Sequence, residues 1–466
     1  MVVSVSLSRN ESINQVLKHI HFIAIGGAAM HNMALALHQN GFKVTGSDDE
    51  IKEPSLSRLR TAGLLPAEIG WFTEKIDVRP DLIVLGMHAR ADNPELLRTQ
   101  ELGIRVVSFP EFLYEHSKNK VRVVIGGSHG KTSITSMVMH VLRSCEKYFD
   151  YMVGSTVQGF DTMVQLTTDA PVIILEGDEY LSSPIDRRPK FHLYKADIGL
   201  ISGIAWDHIN VFPTFDNYVE QFRIFADGIP ETGTLIWYEG DNDLADVTIT
   251  QSGKKELIGY HVPNHEILNG TTTVIHDGLS YEVSVFGRHN LANMEGARLI
   301  CEKLGVSGAR FYEEIRSFKG AGRRLELVAK NSSQSVFRDF AHSPSKLKAT
   351  IAAVKEQFPY RKLIACFELH TFSSLSDAFL DQYEGTMTDA DVAMVYFNPD
   401  VIAHKKIKPI SAERVLESFK RPDIQVYTDP NQLSNSIKNA FGTDAVLLMM
   451  SSGSFDGIKL DGFLNQ

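Results

Sequence analysis

Residues 121–144 combine an apolar run, a glycine-rich turn with the letters GGSHGKTS, and a helical pattern. An apolar strand that leads through glycines into Gly-Lys-Thr at a helix start is typical of a nucleotide phosphate loop, although Ile125 stands where the usual pattern has its first glycine. Backbone N–H groups would cradle the phosphates, Lys131 would neutralise them, and the Thr132 hydroxyl would bind Mg²⁺. The residues predicted to form this site are Gly127, Ser128, His129, Gly130, Lys131, Thr132 and Ser133.

Two further apolar runs end in polar side chains. The run VIILEGDE ends on Glu176, with Asp178 and Glu179 close behind. Because Mg²⁺ prefers hard oxygen ligands, Glu176 is predicted to be the second metal ligand of the phosphate site. The stretch GIAWDH puts Asp207 and His208 at another strand end, where we favour a functional role over a surface one.

The early stretch IAIGGAAM is predicted to be a strand and a turn that opens a helix. Only Gly26 occupies one of the three glycine positions of a dinucleotide fingerprint, while Asp48 lies 22 residues later, near the spacing of an acid that faces a ribose. A nucleotide sugar and a nicotinamide dinucleotide both stay open as ligands of this turn. The stretch MHARADNPE (87–95) is predicted to be a second substrate loop.

Strand and helix patterns alternate along the whole chain of 466 residues. This alternation predicts an α/β fold of three domains with mostly parallel sheets. A polar segment at 115–120 and a second one near 315–332 suggest the bounds. We therefore expect a Rossmann-like domain at 1–117, a central P-loop ATPase-like domain at 118–322, and a Rossmann-like domain at 323–466.

The composition excludes several classes of protein. A net charge of −10 argues against general binding to nucleic acid or to an anionic membrane. No apolar run approaches the roughly 20 residues of a membrane span, and the N-terminus shows no signal peptide. The three cysteines form no CxxC pair, so neither a zinc site nor a disulfide framework is predicted. We expect a cytoplasmic protein, either a monomer or a weak homodimer.

In this order, the motifs resemble those of the Mur ligase family, which joins amino acids or peptides to UDP-N-acetylmuramate and its derivatives. The resemblance covers nearly the whole chain and rests on these stretches: HFIAIGGAAM, GFKVTGSDD, GGSHGKTSITSM, EGDEY, DHINVF, GRHNLANMEGA, GAGRRLE and DFAHSPSKLKATI. It implies a UDP-sugar in the first domain, ATP in the second, and the incoming amine in the third. The implied reaction phosphorylates the lactyl carboxylate of the sugar, and an amine then displaces the phosphate to form an amide.

The resemblance also implies roles for single residues. Lys131 would bind the phosphates, Thr132 and Glu176 would hold one Mg²⁺, and His208 would help to hold a second. Asn290 and Asn293 would contact adenine, and Arg323 or Arg324, with Asp339 and His342, would close over ATP. The UDP-sugar would lie against Gly26, Gly27, Ala28, Met30, Ser47, Asp48 and His88.

Two branches of this family start from UDP-N-acetylmuramate. One adds L-alanine during peptidoglycan synthesis, and the other adds the tripeptide L-Ala-γ-D-Glu-meso-diaminopimelate during recycling. The stretch EGDEYLSSPIDRRPKF is more similar to the second branch. Thr371 and Ser374 stand where the alanine-adding branch has arginines, and a hydroxyl cannot make a bidentate guanidinium–carboxylate pair. We therefore favour the tripeptide, with L-alanine and a non-catalytic precursor-binding protein as alternatives.

The sequence departs from the family in two places. Gly203 and Ala205 stand where the family commonly has Asn and Glu, in the stretch that leads to the second metal motif. Ala24 and Ala29 replace glycines of the first turn, which we expect to keep its course.

Overall fold

The computed structural model describes residues 18–206 and 211–464. Their contacts group into two compact units, each of which is described by itself. The first unit comprises Met1–His261 and Glu295–Phe311, and the second comprises Val262–Met294 and Tyr312–Gln466.

The first unit begins with a parallel sheet of four strands, in the order β2-β1-β3-β4. Its strands are β1 (His19–Ile23), β2 (Lys43–Ser47), β3 (Leu82–Leu85) and β4 (Val106–Ser108). The helices of this region are α1 (Ala28–Gln39), α2 (Ser55–Thr61), α3 (Glu74–Asp77), α4 (Pro94–Glu101) and α5 (Phe109–His116). Apolar clusters lie on both faces of the sheet, and all of β3 is buried, as expected for a parallel sheet covered on two sides.

A sheet of seven strands follows, in the order β11-β10-β9-β5-β8-β6-β7, and every pair is parallel except β6 with β7. Its strands are β5 (Val121–Gly126), β6 (Asp150–Met152), β7 (Val164–Gln165), β8 (Val172–Glu176), β9 (Ile198–Ile201), β10 (Thr234–Tyr238) and β11 (Glu256–Tyr260). The helices are α6 (Lys131–Ser144), α7 (Lys190–Leu193), α8 (Phe215–Asp227) and α9 (Asn242–Ile249). In this order β5 lies between β8 and β9, so polar side chains at the carboxyl ends of these three strands meet at one edge.

The second unit contains a small antiparallel sheet and a larger, mostly parallel one. The small sheet consists of β12 (His265–Leu268), β13 (Thr271–His276) and β14 (Leu279–Val283). Two helices come next in the chain, α10 (Arg288–Lys303) and α11 (Gly308–Ile315).

The larger sheet has the order β15-β16-β20-β17-β18-β19, and only β15 with β16 is antiparallel. Its strands are β15 (Glu326–Lys330), β16 (Gln334–Asp339), β17 (Lys362–Glu368), β18 (Val392–Tyr396), β19 (Gln425–Tyr427) and β20 (Ala445–Met450). The helices are α12 (Pro344–Gln357), α13 (Asp377–Leu380), α14 (Pro399–His404), α15 (Ala412–Phe419) and α16 (Pro430–Ala440). Its central strand β20 is buried along its whole length.

The predicted α/β fold with mostly parallel sheets is confirmed. The antiparallel sheet β12–β14 was not predicted, because its short strands leave much of their surface exposed and carry no continuous apolar run. The domain bounds at 117/118 and 322/323 stay predictions. Among the helices of residues 18–206 and 211–464, none has the length and apolarity needed to cross a membrane.

Candidate active site

The glycine-rich loop between β5 and α6 has a backbone that only glycine accommodates well. Gly127 has a φ of +127° and Gly130 a φ of +76°. A Cβ at Gly127 would also lie 2.2 Å from the Ser202 Oγ. These two positions explain why the local sequence is glycine-rich.

Helix α6 begins at Lys131 without a side-chain cap. Some other helices of the first unit have one: Asn93 accepts the first amides of α4, and Ser108 and Glu111 form a reciprocal capping box at α5. An uncapped helix start leaves N–H groups and a partial positive charge for an anion. The start of α6 therefore has the chemistry of a phosphate site.

The Lys131 ammonium lies at the centre of the loop. It donates to the Gly127 carbonyl oxygen and to Glu179 Oε2, each at 2.6 Å. The other oxygen of Glu179 accepts from the Tyr218 hydroxyl at 3.0 Å, and Glu179 is only 1% exposed. Burial alone would lower the pKa of Lys131, but the negative charges of Glu179 and Asp178 raise it above its ordinary value. Lys131 is therefore charged at neutral pH.

Thr132 and Glu176 meet beside this lysine. The Thr132 hydroxyl donates to Glu176 Oε1 at 2.9 Å, and the Gly154 amide donates to Oε2 at 2.8 Å. Thr132 and Glu176 are both buried. Within residues 18–206 and 211–464, no three His, Cys, Asp or Glu side chains converge as a metal site. The oxygens of Thr132 and Glu176 fit Mg²⁺, because this ion usually takes one or two protein oxygens and completes its shell with phosphates and water.

The carboxyl end of β9 contacts the same loop. The Ser128 amide donates to the Gly203 carbonyl oxygen at 3.0 Å, and the Ala205 amide donates to the Ser128 Oγ at 2.7 Å. Gly203 has a φ of +144°, and a Cβ there would lie 3.2 Å from an oxygen of Asp241. This backbone favours glycine over the family's asparagine at position 203. Asp207 and His208 lie outside the described residues, so His208 as a metal ligand stays a prediction.

The turn after β1 brings Gly26, Ser47 and Asp48 together. The Gly26 amide donates to Asp48 Oδ2 at 2.6 Å, and burial raises the pKa of Asp48. Ala24 adopts a φ of +69°, so the turn keeps its course without the glycine. Lys75, which belongs to no motif in the sequence, donates to the Ser47 Oγ at 2.9 Å.

The other predicted UDP-sugar residues have different environments. Met30 is buried inside the unit, whereas Ala28 and His88 are exposed and Gly27 is half-buried. Contact of these residues with a UDP-sugar stays a prediction.

In the second unit, two predicted residues contact the ring of Phe340, and a third, Asp339, precedes it in the chain. The guanidinium of Arg324 lies 4.5 Å from the centre of the Phe340 ring, and the ring of His342 lies 5.3 Å from it, edge to face. Asp339 accepts from the amides of Leu325 and Ala341, each at 2.7 Å, and so ties the start of β15 to the end of β16.

Asn290 and Asn293 also belong to the second unit. The Asn290 amide group donates to the Phe286 carbonyl oxygen at 3.3 Å, and that of Asn293 donates to Asn290 Oδ1 at 3.4 Å. Their contact with adenine, and that of Arg324, Asp339 and His342 with ATP, stays a prediction.

Sequence reasoning missed three contributors to the first unit's sites: Gly154, Tyr218 and Lys75. Gly154 and Tyr218 act over 22 and 39 residues of chain, through Glu176 and Glu179. No local signal marks contacts of this range.

Three family models match the chain. The Mur ligase catalytic domain matches residues 19–121, the Mur ligase middle domain matches 125–301, and the Mur ligase glutamate ligase domain matches 323–453. The model that matches residues 19–121 is a Mur ligase domain, so it gives no support to a nicotinamide dinucleotide as the ligand of the turn after β1.

Curated relatives align over most of the chain. A UDP-N-acetylmuramate–L-alanine ligase of Persephonella marina is 29% identical and aligned over 94% of this chain and 95% of its own. One from Clostridium acetobutylicum is 31% identical over 80% of this chain and 82% of its own.

Solved structures show the same fold. The UDP-N-acetylmuramate–alanine ligase of Thermotoga maritima has a TM-score of 0.69 at 20% identity, with 94% of this chain and 96% of its own covered. A murein peptide ligase from Psychrobacter arcticus has a TM-score of 0.64 at 23% identity, with 96% and 100% covered. The phosphate loop, the buried Thr–Glu pair, the three domain matches and these alignments agree, and the chain belongs to the Mur ligase family of ATP-dependent amide ligases.

Proposed function

We propose that the protein joins the lactyl carboxylate of UDP-N-acetylmuramate to the amine of L-alanine with hydrolysis of ATP. The observation that supports ATP use is the buried hydrogen bond of 2.9 Å between Thr132 and Glu176, beside the charged Lys131. L-alanine is the acceptor named for the curated sequence relatives, which align over 80% or more of this chain. The preference for a tripeptide is therefore not confirmed, and its alternative is now our first candidate.

The residues of the loop account for phosphoryl transfer by position and charge. Lys131 would exchange its contact with Glu179 for one with the phosphates, while the N–H groups at the start of α6 hold them in place. Thr132 and Glu176 would hold Mg²⁺, which supplies charge neutralisation on the transferred group. The carboxylate becomes an acyl phosphate, and the amine attacks it to release phosphate and form the amide.

A tripeptide acceptor stays the second candidate because of the loop after β17. Thr371 and Ser374 hydrogen-bond to each other there, with 3.0 Å between their hydroxyl oxygens. This loop therefore offers no guanidinium at the positions where the alanine-adding branch has it. We propose in addition that the enzyme is cytoplasmic and is a monomer or a weak homodimer.

The test is phosphate release with ATP, Mg²⁺ and UDP-N-acetylmuramate, with L-alanine or the tripeptide as acceptor. Release that depends on L-alanine, with the expected amide found by mass spectrometry, supports the proposal. Release with the tripeptide alone would assign the recycling reaction instead. Precursor binding without release under either condition would favour the non-catalytic binding protein. The Glu176→Gln variant serves as the negative control, because it keeps the side chain's size but removes the charge that Mg²⁺ needs.

A further inference from the structure

The loop after β17 is packed beneath a lysine from another segment. The Lys405 ammonium, just after α14, lies 4.3 Å from the centre of the Phe372 ring. Phe372 is 63% exposed, so its ring is accessible at the surface of the loop. The contact favours positions of the ammonium above the loop 369–376.

Lys405 differs from two other lysines of the second unit, which make salt bridges. Lys355 pairs with Asp391 at 2.7 Å, and Lys420 pairs with Glu384 at 2.6 Å. Across residues 18–206 and 211–464, by contrast, no carboxylate makes a salt bridge with Lys405. Its positive charge is therefore available to an anionic ligand.

The loop beneath Lys405 lies where a ligand is expected in this kind of sheet. Strands β16, β20, β17 and β18 are parallel neighbours, and their carboxyl ends form one edge. The loop 369–376 leaves that edge directly after β17, and α14 follows the end of β18. Ligands of open α/β sheets bind at this edge.

A second cation also lies at this edge, since the Arg323 guanidinium donates to the Gly453 carbonyl oxygen, after β20, at 3.2 Å. Glu368 is 3% exposed and accepts from the Ser451 hydroxyl and from the Phe455 amide. The hydroxyls of Thr371 and Ser374 bond to each other. A carboxylate brought to the loop 369–376 would meet the Lys405 ammonium, which lies over Phe372 of that loop.

We propose that Lys405, held over Phe372, binds the carboxylate of the incoming amine, and so does the work of the arginines absent at positions 371 and 374. The inference rests on the proposed function, and it applies to an acceptor such as L-alanine, whose free carboxylate is on the same carbon as its amine. A lysine gives a single point charge where an arginine gives a bidentate fork, so we expect a looser fit to the carboxylate.

The test compares Lys405→Met with the wild-type enzyme. Methionine keeps much of the apolar stem and removes the charge. We expect KM for the acceptor to rise by about 10- to 100-fold, the usual loss for a hydrogen bond to a charged group, with KM for ATP and for UDP-N-acetylmuramate unchanged. Lys405→Arg should keep a low acceptor KM. Lys438→Met, which changes an exposed lysine of α16, is the matched control and should behave as the wild type.

An acceptor without a carboxylate completes the test. L-alaninamide should react equally well with the wild type and with Lys405→Met, because it has no carboxylate for the lysine to bind. An unchanged acceptor KM in Lys405→Met would overturn the inference, and so would an equal loss with L-alaninamide. If the wild type itself forms no amide with any acceptor, the proposed function fails and the inference falls with it. If the wild type is active and Lys405→Met is unaffected, the role of Lys405 is refuted while the proposed function stands.

Discussion

Gly154 touches the carboxylate that we assign to Mg²⁺, and a single methyl group there should disturb it. A Cβ built at this position would lie 2.6 Å from Glu176 Oε1 and 3.1 Å from its carboxyl carbon. Gly154 does not have a positive φ, so the backbone itself tolerates alanine. The effect of Gly154→Ala is therefore steric and falls on the functional end of Glu176.

The size of the effect follows from these distances. An ordinary contact of a Cβ begins near 3.4 Å, so the carboxylate must withdraw by roughly 0.8 Å. The bonds from Thr132 at 2.9 Å and from the Gly154 amide at 2.8 Å would lengthen or break. A displacement of about 1 Å at a catalytic group can lower the rate by about 100-fold. Loss of one such charged hydrogen bond costs about 1.5–3 kcal/mol, so the fold should survive.

The assay is phosphate release at saturating ATP, UDP-N-acetylmuramate and acceptor, measured as a function of Mg²⁺. We expect Gly154→Ala to lose about 100-fold in kcat or to need much more Mg²⁺, with a melting temperature lowered by less than roughly 10 °C. Gly442→Ala is the matched control, because a Cβ at this exposed glycine meets nothing within 4 Å. Normal turnover and normal Mg²⁺ dependence in Gly154→Ala would refute the assignment of Glu176.

Three other predictions concern charge and strain. Lys131→Met should abolish ligation and also destabilise the protein by about 3–5 kcal/mol, because it leaves Glu179 charged and buried. The double variant with Glu179→Gln should regain most of that stability in thermal melts but none of the activity, and recovery of activity would contradict the role of Lys131. Ala24→Gly should change the free energy of unfolding by less than about 1 kcal/mol, whereas Ala24→Val should lower it by at least about 2 kcal/mol. The reason is that a β-branched residue fits poorly at a φ of +69°. Equal melting temperatures for the two variants would contradict this. Burial alone would raise the pKa of Asp150, but hydrogen bonds, led by that from His116, hold it below its ordinary value. The stabilisation by the Asp150 carboxylate is therefore present above its unfolded pKa and is lost as the pH falls through its lower, folded pKa. In urea titrations, Asp150→Asn should be less stable than the wild type at pH 7, and the difference in stability should shrink below about pH 4. A difference that stays constant with pH would refute this.

Much of the fold could be predicted because its signals are local. A few consecutive residues are enough to predict the fully apolar strands β3 and β20. The same is true of the phosphate loop with Gly127 and Gly130. The small sheet β12–β14 carries no continuous apolar run, and only Thr272, Val274 and Val283 of its strands are buried, so it was not predicted.

The candidate site likewise has parts that local sequence predicts and parts that depend on the tertiary structure. The sequence by itself determined the phosphate loop and the acids that end β8, because backbone conformation and strand burial are set by neighbouring residues. It could not decide which acid pairs with which base. Only the sheet order, with β8 beside β5, brings Glu179 to Lys131 at 2.6 Å, while Asp178, one residue earlier, bonds to Lys190 at 2.5 Å. Contacts between residues far apart in the chain depend on how the strands are arranged, and that arrangement exists only in the folded molecule.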